Sequence, residues 1–304
     1  MLDRRTLLAS MAGALVAGSA RAQAWKAQYP ELVLAVTPAE NASGVAERYA
    51  PWVAYLSREL GVKVTLRIAN DYAAVIEGQK AGNIHIGYYG PAALARALKV
   101  TNAGVEPFIT TINHDGSVGY YSVAYVKSDS PYRRIEDLKG KNVGFVDPNS
   151  ASGNNVPRFA LDKMGIDPDQ YFAKVVYAGS HENAVIAVIQ GTVDVAFNWW
   201  NSDADSNLAR MINKGMVKKD DLRIIFKSEL IQGAPFAYLV SLPDDLKLAI
   251  TTAFVEGPSK DKAAFERMSD GHDRGFALVT AADYTSTIEL IEFVDRLRRK
   301  KPPS

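Results

Sequence analysis

The stretch from residue 142 to residue 164, "NVGFVDPNSASGNNVPRFALDKM", joins a strand pattern to a helix pattern. Its start alternates and carries β-branched valines, which favours a strand, and the apolar residues after Asn155 recur at helical spacing with Pro157 in the first turn. The residues between them, 147–155, must therefore open a helix. The free N–H groups and the positive dipole of a helix start can hold an anion, and Ser150 and Ser152 add two donors. Good N-cap and turn residues would give the same pattern, so the loop by itself leaves both interpretations open.

Strand and helix patterns alternate on both sides of this stretch, which predicts mostly parallel sheets covered by helices on both faces. Two segments also correspond to each other. Residues 74–89, "AVIEGQKAGNIHIGYY", and residues 184–199, "AVIAVIQGTVDVAFNW", share one order of helix, glycine turn and strand. The chain is therefore expected to form two α/β lobes of like topology.

Longer extended runs interrupt the alternation near Tyr121 and Tyr238, and they are natural crossovers between two lobes. We expect residues 25–118 and 240–304 to form the first lobe and residues 119–239 to form the second. The hinge would consist of two strands, near 119–127 and 234–241. A ligand between the lobes could then close the hinge.

The first residues, "MLDRRTLLASMAGALVAGSARAQA", have a charged start, an apolar run and small residues before Gln23. This pattern predicts a cleaved secretory signal peptide over residues 1–22, too short and too weakly apolar to span a membrane. The pair Arg4-Arg5 is compatible with the twin-arginine export route, although ordinary signals carry paired arginines as well.

Composition excludes several classes of site. The sequence has no cysteine, so disulfides, thiolate catalysis and thiolate metal sites are impossible. With 35 basic and 34 acidic residues, nothing indicates a nucleic acid or a charged membrane surface as partner. Phosphate-loop, nucleophile-elbow, zinc-helix and dinucleotide-turn motifs are also missing from the sequence. We therefore expect a binding protein, not an enzyme, with no cofactor, no metal and no catalytic residues.

Polar and aromatic residues gather where the predicted strands end. The segments that follow the strands are "TPAENAS", "NDY" and "YYGP" in the first half, and "DPNSASGNN", "GSHENA" and "NWWNSD" in the second. In open parallel sheets a ligand binds at the carboxyl ends of the strands, next to helix starts. Two helix starts of the second lobe could thus point at one anion, with Ser150, Ser152 and His181 as binding residues.

Tyrosines of the first lobe could close over that anion. Tyr72 opens a predicted helix, and Tyr89 follows a predicted strand. Because neighbouring side chains in a strand alternate in direction, only one of Tyr88 and Tyr89 can face the cleft. Tyr89 is the one we expect there.

Several segments together resemble the periplasmic phosphonate- and phosphite-binding proteins of ABC importers. They are "NDYAAVIEG", "IHIGYYGPAA", "DGSVGYYSVAYVKSDSPYRRIEDLKGKNVGFVDPNSASG", "GSHENAVIAV" and "VDVAFN", and they occur in order between residues 32 and 243. The resemblance implies a type II periplasmic-binding-protein fold and a phosphonate or phosphite ligand. It further implies an ABC permease in the inner membrane as partner, a periplasmic location and a monomer.

The resemblance also implies site residues. In that family a loop usually written S-T-S-G holds the phosphonate head, and a histidine and a cleft tyrosine complete the shell. Matched to this sequence, these are Ser150, Ser152, His181 and Tyr89, with Tyr72 lining the other lobe.

The sequence departs from the family pattern at two places. Ala151 replaces the middle hydroxyl of the S-T-S loop, so one donor is lost. Asn201 and Ala234 stand where relatives resembling the aminoethylphosphonate binders carry acidic residues. An amine-bearing ligand is therefore not expected, unless other residues hold the amine by charge pairing or cation–π contact. The candidates for that role are Asp203, Asp205, Trp199 and Trp200.

Two alternatives remain open from the residues. A periplasmic enzyme on a similar bilobal fold could use His181 as a base, which would require a nucleophile or an acidic orienter within hydrogen-bond reach. A binding protein for another small anion, such as a carboxylate, would favour an arginine fork, and no arginine occupies the strand-end segments.

Overall fold

The computed structural model of the chain describes residues 24–299. It contains two six-stranded sheets, each flanked by helices, with a cleft between them. In the described part of the chain, no helix has the length and apolar character needed to cross a membrane. The signal peptide predicted over residues 1–22 lies outside the described residues.

The twelve strands found within residues 24–299 are numbered along the chain. They are β1 (Glu31–Val36), β2 (Lys63–Ile68), β3 (Ile86–Tyr88), β4 (Val105–Asn113), β5 (Gly119–Lys127), β6 (Asn142–Phe145), β7 (Lys174–Tyr177), β8 (Val195–Trp200), β9 (Leu222–Lys227), β10 (Ile231–Gln232), β11 (Pro235–Leu239) and β12 (Asp273–Leu278). The first sheet has the order β12-β4-β11-β3-β1-β2, and the second has the order β10-β5-β8-β6-β7, with β9 also pairing with β5.

Eleven α-helices pack against these sheets in the described residues. They are α1 (Trp25–Gln28), α2 (Ala42–Leu60), α3 (Tyr72–Lys80), α4 (Pro91–Val100), α5 (Val156–Lys163), α6 (Pro168–Tyr171), α7 (His181–Ile189), α8 (Asn207–Asn213), α9 (Asp244–Lys260), α10 (Lys262–Ser269) and α11 (Thr285–Arg299). A π-helical turn, Ala151–Asn155, precedes α5. Short 3₁₀ turns cover Ile135–Leu138, Lys219–Asp221 and Ala281–Tyr284.

The prediction of mostly parallel sheets needs a correction, because each sheet is mixed. Only β2-β1-β3 and β7-β6-β8 are parallel, and the other pairings are antiparallel. The strand that arrives from the other lobe, β11 in the first sheet and β5 in the second, runs against its neighbours. The two sheets thus repeat one order, β2-β1-β3-β11 and β7-β6-β8-β5. The two segments with similar sequence are α3 with β3 and α7 with β8, at equivalent places of the two lobes.

The chain passes between the sheets twice, after β4 and before β11. Because β11 pairs with β3 and β4, residues 235–239 belong with the first sheet, and the second passage lies at residues 233–234. The predicted lobe boundary at residue 239 therefore moves to this point.

Glycines allow close approach at both passages. A Cβ on Gly119 would lie 2.5 Å from the Ile231 carbonyl oxygen, and one on Gly233 would lie 2.5 Å from Thr110 Oγ1. The Tyr284 hydroxyl donates to the Gly233 carbonyl at 3.0 Å. Helix α11 and its preceding turn therefore support the second passage from the C-terminal side.

Aromatic cores make the walls of both lobes rigid. In the first lobe, Trp52 packs on Tyr55 and Phe254 with ring centroids 5.0 and 5.4 Å apart. In the second, Phe145 and Phe197 stack with centroids 5.5 Å apart. Such buried aromatic clusters dominate core energetics and hold the strand ends in fixed positions.

Candidate functional site

A cavity of about 160 Å³ lies between the lobes, at the carboxyl ends of the parallel strands. Residues of both lobes line it, among them Thr37, Tyr72, Tyr88, Gly90, Ser150, Ala151, Ser152, His181, Trp199 and Asn201. The starts of α3, α4 and α7 and the π-helical turn before α5 therefore converge on one cavity. Free N–H groups and dipoles at helix starts favour an anion there.

The turn Ala151–Asn155, with its cap Ser150, forms part of the cavity wall on the side of the second lobe. Ser150 caps it, and its Oγ accepts a hydrogen bond from the Gly153 N–H at 3.0 Å. A Cβ on Gly153 would lie 2.4 Å from Val146 Cγ2, so only glycine lets the turn fold this tightly against the strand end. Ser150, Ala151 and Ser152, all named from the sequence, are buried and line the cavity.

Two tyrosines hold the serines of this turn from opposite sides. Tyr72, from the first lobe, lies beside Ser150, and Tyr120, on β5, lies beside Ser152, close enough for each serine to affect the pKa of the phenol. Burial raises the pKa of both phenols well above the ordinary value, so both remain protonated donors at neutral pH. Tyr72 was predicted, and Tyr120 was not. The alternation of "GYYSVAYV" in β5 was the signal available for Tyr120.

His181 opens α7 at the cavity wall, behind the capping hydroxyl of Ser180. Burial lowers the pKa of the imidazole to about 4, and the hydrogen-bonding side chain of Asn198 only partly offsets this, so the ring is neutral at physiological pH. Among the described residues the ring nitrogen Nδ1 of His181 is buried without a hydrogen-bond partner, and Asn198 Nδ2 donates to the His181 carbonyl oxygen at 2.9 Å, whereas a general base needs an acidic orienter or a nucleophile beside it. This arrangement suits a ligand-binding histidine better than a catalytic one.

Tyr89 does not reach the cavity, which corrects the prediction. Its side chain is fully buried inside the first lobe, where the hydroxyl donates to Gln79 Oε1 at 2.7 Å. Tyr88, its neighbour in the sequence, lines the cavity instead. The two side chains do point in different directions, but the sequence did not show which of them faces the cleft.

The other end of the cavity carries acidic residues. Trp199, Asn201, Asp205 and Asp273 line it, and Asp205 Oδ2 accepts from Asn201 Nδ2 at 2.8 Å. Burial and the neighbouring Asp205 raise the pKa of Asp273 to about 7. Ala234 also lines the cavity and carries no carboxylate. The two carboxylates instead belong to Asp205, in the segment before α8, and to Asp273, on β12.

Two residues considered for the amine lie elsewhere. Asp203 is not among the residues that line the cavity. Trp200 packs on Tyr121 at a centroid distance of 6.0 Å, beneath Lys227. Of the candidates named from the sequence, Asp205 and Trp199 remain.

Two arginines also line the cavity, which the strand-end segments did not predict because both lie on helices. Arg48 is bound by Glu40 at 2.6 Å, and Arg210 by Asp270 at 2.8 Å, while the Arg210 guanidinium lies 4.8 Å from the centroid of the Trp199 ring. Both cations are thus already paired with carboxylates. A free arginine fork for a ligand carboxylate is not offered by either.

A metal site finds no support in residues 24–299, where no group of three or more His, Asp or Glu side chains is placed to hold an ion. His85 and His114 serve the framework: His85 Nδ1 accepts from the Val33 N–H at 2.9 Å, and His114 Nε2 lies 2.7 Å from the Gly271 oxygen. His272 lines the cavity.

Comparison with known proteins gives matches over most of the chain. Residues 34–284 match the family model of the periplasmic substrate-binding protein of phosphonate ABC transporters. The phosphate-import protein PhnD of Mycolicibacterium smegmatis is 31% identical over 285 residues, covering 88% of this chain and 87% of that protein. The phosphonates-binding periplasmic protein of Escherichia coli is 32% identical over 247 residues, covering 79% of this chain and 71% of that protein.

A solved structure has the same architecture. The binding-protein component of an ABC phosphonate transporter from Pseudomonas aeruginosa superimposes with a TM-score of 0.78 at 27% identity, covering 88% of this chain and 87% of that one. The matches confirm the resemblance drawn from the sequence and the two-lobed binding-protein fold.

Proposed function

The chain belongs to the family of periplasmic substrate-binding proteins of phosphonate ABC transporters, and on that premise we propose that the cavity between its lobes is where it captures its ligand. The observation that carries this proposal is the convergence of Ser150, Ser152, His181 and Tyr72 on one cavity between the lobes. The closed complex then delivers the ligand to an ABC permease of the inner membrane. The receptor acts as a monomer and performs no bond chemistry.

The phosphonate head lies on the turn at Ser150–Ser152, with its oxygens toward the N–H groups of the helix start. The hydroxyls of Tyr72 and Tyr120 and the ring of His181 complete the shell. Charge-assisted hydrogen bonds contribute about 1.5–3 kcal/mol each. Four or five of them, less the costs of desolvation and ordering, reach the ~8 kcal/mol of micromolar binding without an arginine.

Hinge closure is the mechanism of capture. Ser150, Ser152 and His181 belong to the second lobe, and Tyr72 belongs to the first, so the shell is complete only when the lobes meet. A ligand that contacts both lobes binds the closed form better and shifts the population toward it. The permease recognises that form.

The substituent on phosphorus points to the other end of the cavity. Asp205 and Asp273 line that end, and the raised pKa of Asp273 reflects burial and repulsion that the surrounding cations do not fully offset. A ligand ammonium between the two carboxylates would remove this repulsion, and Trp199 offers an aromatic face beside it. A short aminoalkyl phosphonate therefore fits better than the two departures in the sequence implied, and a small alkylphosphonate or phosphite is the second candidate.

Isothermal titration with a panel of anions tests the proposal. Methylphosphonate, 2-aminoethylphosphonate, phosphite and phosphate are compared with methanesulfonate and glutamate. We expect micromolar binding of at least one phosphonate, and binding of 2-aminoethylphosphonate should weaken in Asp273→Asn relative to methylphosphonate. If glutamate or a sulfonate bound and no phosphorus oxyanion did, the assignment of the cavity to phosphonates would be wrong.

A further inference from the structure

A network of charged side chains joins the lobes beside the cavity. Six residues take part, three from each lobe: Glu40, Arg48 and Asp270 from the first, and Glu182, Arg210 and Lys214 from the second. Their contacts go beyond what phosphonate binding requires, since Glu40, Glu182 and Lys214 do not line the cavity.

Lys214 stands at the centre of the network. Its Nζ donates to Glu40 Oε2 across the cleft at 2.6 Å and to Glu182 Oε1 in its own lobe at 2.8 Å. The two carboxylates are nearly inaccessible, with side-chain exposures of 3% for Glu40 and 4% for Glu182. One ammonium thus binds two buried carboxylates, and one of these bonds exists only while the lobes are together.

Two more hydrogen bonds and an ion pair cross the cleft at the same place. The Asn41 N–H donates to Glu182 Oε2 at 2.7 Å, and the His181 N–H donates to the Ala39 carbonyl at 3.2 Å. Arg210 Nε lies 2.8 Å from Asp270 Oδ2. Because His181 and Glu182 form the first turn of α7, the crossing bonds hold the same helix start that presents His181 to the ligand.

The charges of the two sides are complementary. The first lobe contributes two carboxylates and one guanidinium, a sum of −1, and the second contributes one carboxylate and two cations, a sum of +1. Burial acts to raise the pKa of Glu40, but the nearby cations Arg48, Arg210 and Lys214 outweigh it and lower the pKa to about 2, so Glu40 is ionised at neutral pH.

Opening the cleft would not leave a buried charge alone. Glu40 would keep Arg48, at 2.6 Å, and Glu182 would keep Lys214, at 2.8 Å, each within its own lobe. Separation of a buried ion pair is strongly unfavourable when a partner is lost outright. Here each half retains a pair, so both the open and the closed forms are accessible, and the crossing bonds favour the closed one.

We propose that Glu40, Glu182 and Lys214 form an interlobe clamp that sets the stability of the closed form without touching the ligand. They are positioning residues, and the inference rests on the proposed function insofar as ligand affinity reports closure. A contact that forms equally in every closed complex changes all affinities by one factor. The clamp therefore determines how long any ligand stays bound and leaves the choice between ligands to the cavity.

Lys214→Met tests this directly, because it removes the ammonium and keeps much of the side-chain volume. We expect the dissociation rate constants of methylphosphonate and phosphite to rise by the same factor, roughly 10-fold, with little change in the association rate constants. Lys260→Met is the matched control, since Lys260 binds Glu59 at 2.8 Å and Glu256 at 2.9 Å within the first lobe. An unchanged dissociation rate in Lys214→Met, or an equal rise in the control, would overturn the clamp.

A double-mutant cycle provides a second readout if Lys214→Met folds poorly. Glu40→Gln and Lys214→Met should be non-additive in the dissociation constant, because the two side chains meet only in the closed form. A purely structural role would lower the melting temperature of the variants and leave their effects on affinity additive.

A measurement on the ligand-free protein tests the clamp independently of the proposed function. The sequence has no cysteine, so spin labels at Ala46→Cys and Lys219→Cys report the distance between the lobes without further engineering. With the labels present, Lys214→Met should shift the distance distribution toward longer, open values even if no phosphonate binds. An unchanged distance distribution would contradict the proposed clamp. If only the anion panel failed, the assignment of the cavity to phosphonates would be wrong and the clamp would stand.

Discussion

Two capping serines of the second lobe differ in one respect that matters for binding. Ser150 accepts from the Gly153 N–H and Ser180 from the Asn183 N–H, so both complete helix starts. Only Ser150 lines the cavity. Because both serines cap helix starts and only one lines the cavity, comparing them separates the effect of losing a cap from the effect of losing a ligand contact.

Ser150→Ala should weaken phosphonate binding at least about tenfold, since it removes the hydroxyl that we propose donates to the anion, a hydrogen bond worth roughly 1.4 kcal/mol or more. Ser180→Ala is the control, and it should lower stability by about 1 kcal/mol, as the loss of a cap does, with a smaller effect on affinity. Titration calorimetry and urea denaturation of both variants supply the two numbers. Equal losses of affinity would mean that Ser150 acts only as a cap.

His181 gives the ligand-free protein a pH-dependent stability. Its pKa of about 4 in the folded chain lies below the ordinary value of 6.5, so the folded state favours the neutral ring. The stabilisation is complete above pH 6.5 and is lost as the pH falls toward 4. Asp273, with its pKa raised to about 7, acts with the opposite sign, because its contribution falls as the pH rises from about 4 to 7.

His181→Gln should therefore flatten only the loss at low pH. We expect the difference in unfolding free energy between wild type and variant to change by about 3 kcal/mol between pH 6.5 and pH 4, at roughly 1.4 kcal/mol per pKa unit. Urea titrations across this range measure it, and the contribution of Asp273 cancels because both proteins retain it. A pH-independent difference would show that the histidine titrates normally.

Sequence reasoning at this scale found the residues that follow strands and missed those on helices and crossing strands. Ser150, Ser152, His181 and Tyr72 could be inferred because capping hydroxyls and helix starts have a local pattern. Arg48 and Arg210 line the cavity because of the way α2 and α8 pack, and no local sequence pattern predicts this packing. Asp273 was not predicted as a site residue because it lies on β12, a strand that the sequence did not indicate.

At the scale of elements, the parallel parts were readable and the antiparallel additions were not. The strands β1, β2, β6 and β8 carry continuous or alternating apolar runs, and their order follows from the βα alternation. Strand β12 lies at the sheet edge and is mostly half-exposed, so its hydrophobic pattern is too weak to identify it from the sequence.

The strand β5 begins at a glycine that the interlobe passage requires. Gly119→Ala would place a Cβ 2.5 Å from the Ile231 carbonyl oxygen, and a backbone atom can move only if the sheet moves. We expect a loss of about 1–3 kcal/mol in stability, as for other overpacked sites. Gly275→Ala, in β12, is the control because no heavy atom lies within 4 Å of the methyl group that it would add, and it should be nearly neutral.

Urea denaturation of both glycine variants measures the difference. A loss confined to Gly119→Ala would locate rigidity at the passage between lobes. Similar behaviour of the two variants would mean that β5 and β10 separate easily, and the hinge would then have to lie elsewhere.

At the scale of the whole molecule, a ligand that contacts both lobes should couple their unfolding. Ligand at about 100 times its dissociation constant stabilises the folded state by about 2.7 kcal/mol. We expect calorimetric scans to show the lobes melting in separable transitions without ligand and in one transition at higher temperature with a bound phosphonate. A ligand that raised only one transition would occupy one lobe and not the cavity between them.

The two passages of the chain between the lobes also determine the order in which the lobes can fold during synthesis. Residues 119–232 form the second sheet as one uninterrupted segment, whereas the first sheet needs β11 and β12 from the last third of the chain. During elongation the second lobe can fold completely while the first lobe still lacks its strand β11. Domains generally fold as units while the chain emerges. The first lobe is thus the late, aggregation-exposed part of the nascent chain, and a chaperone that protects this protein during synthesis should bind the unpaired edges of β3 and β4.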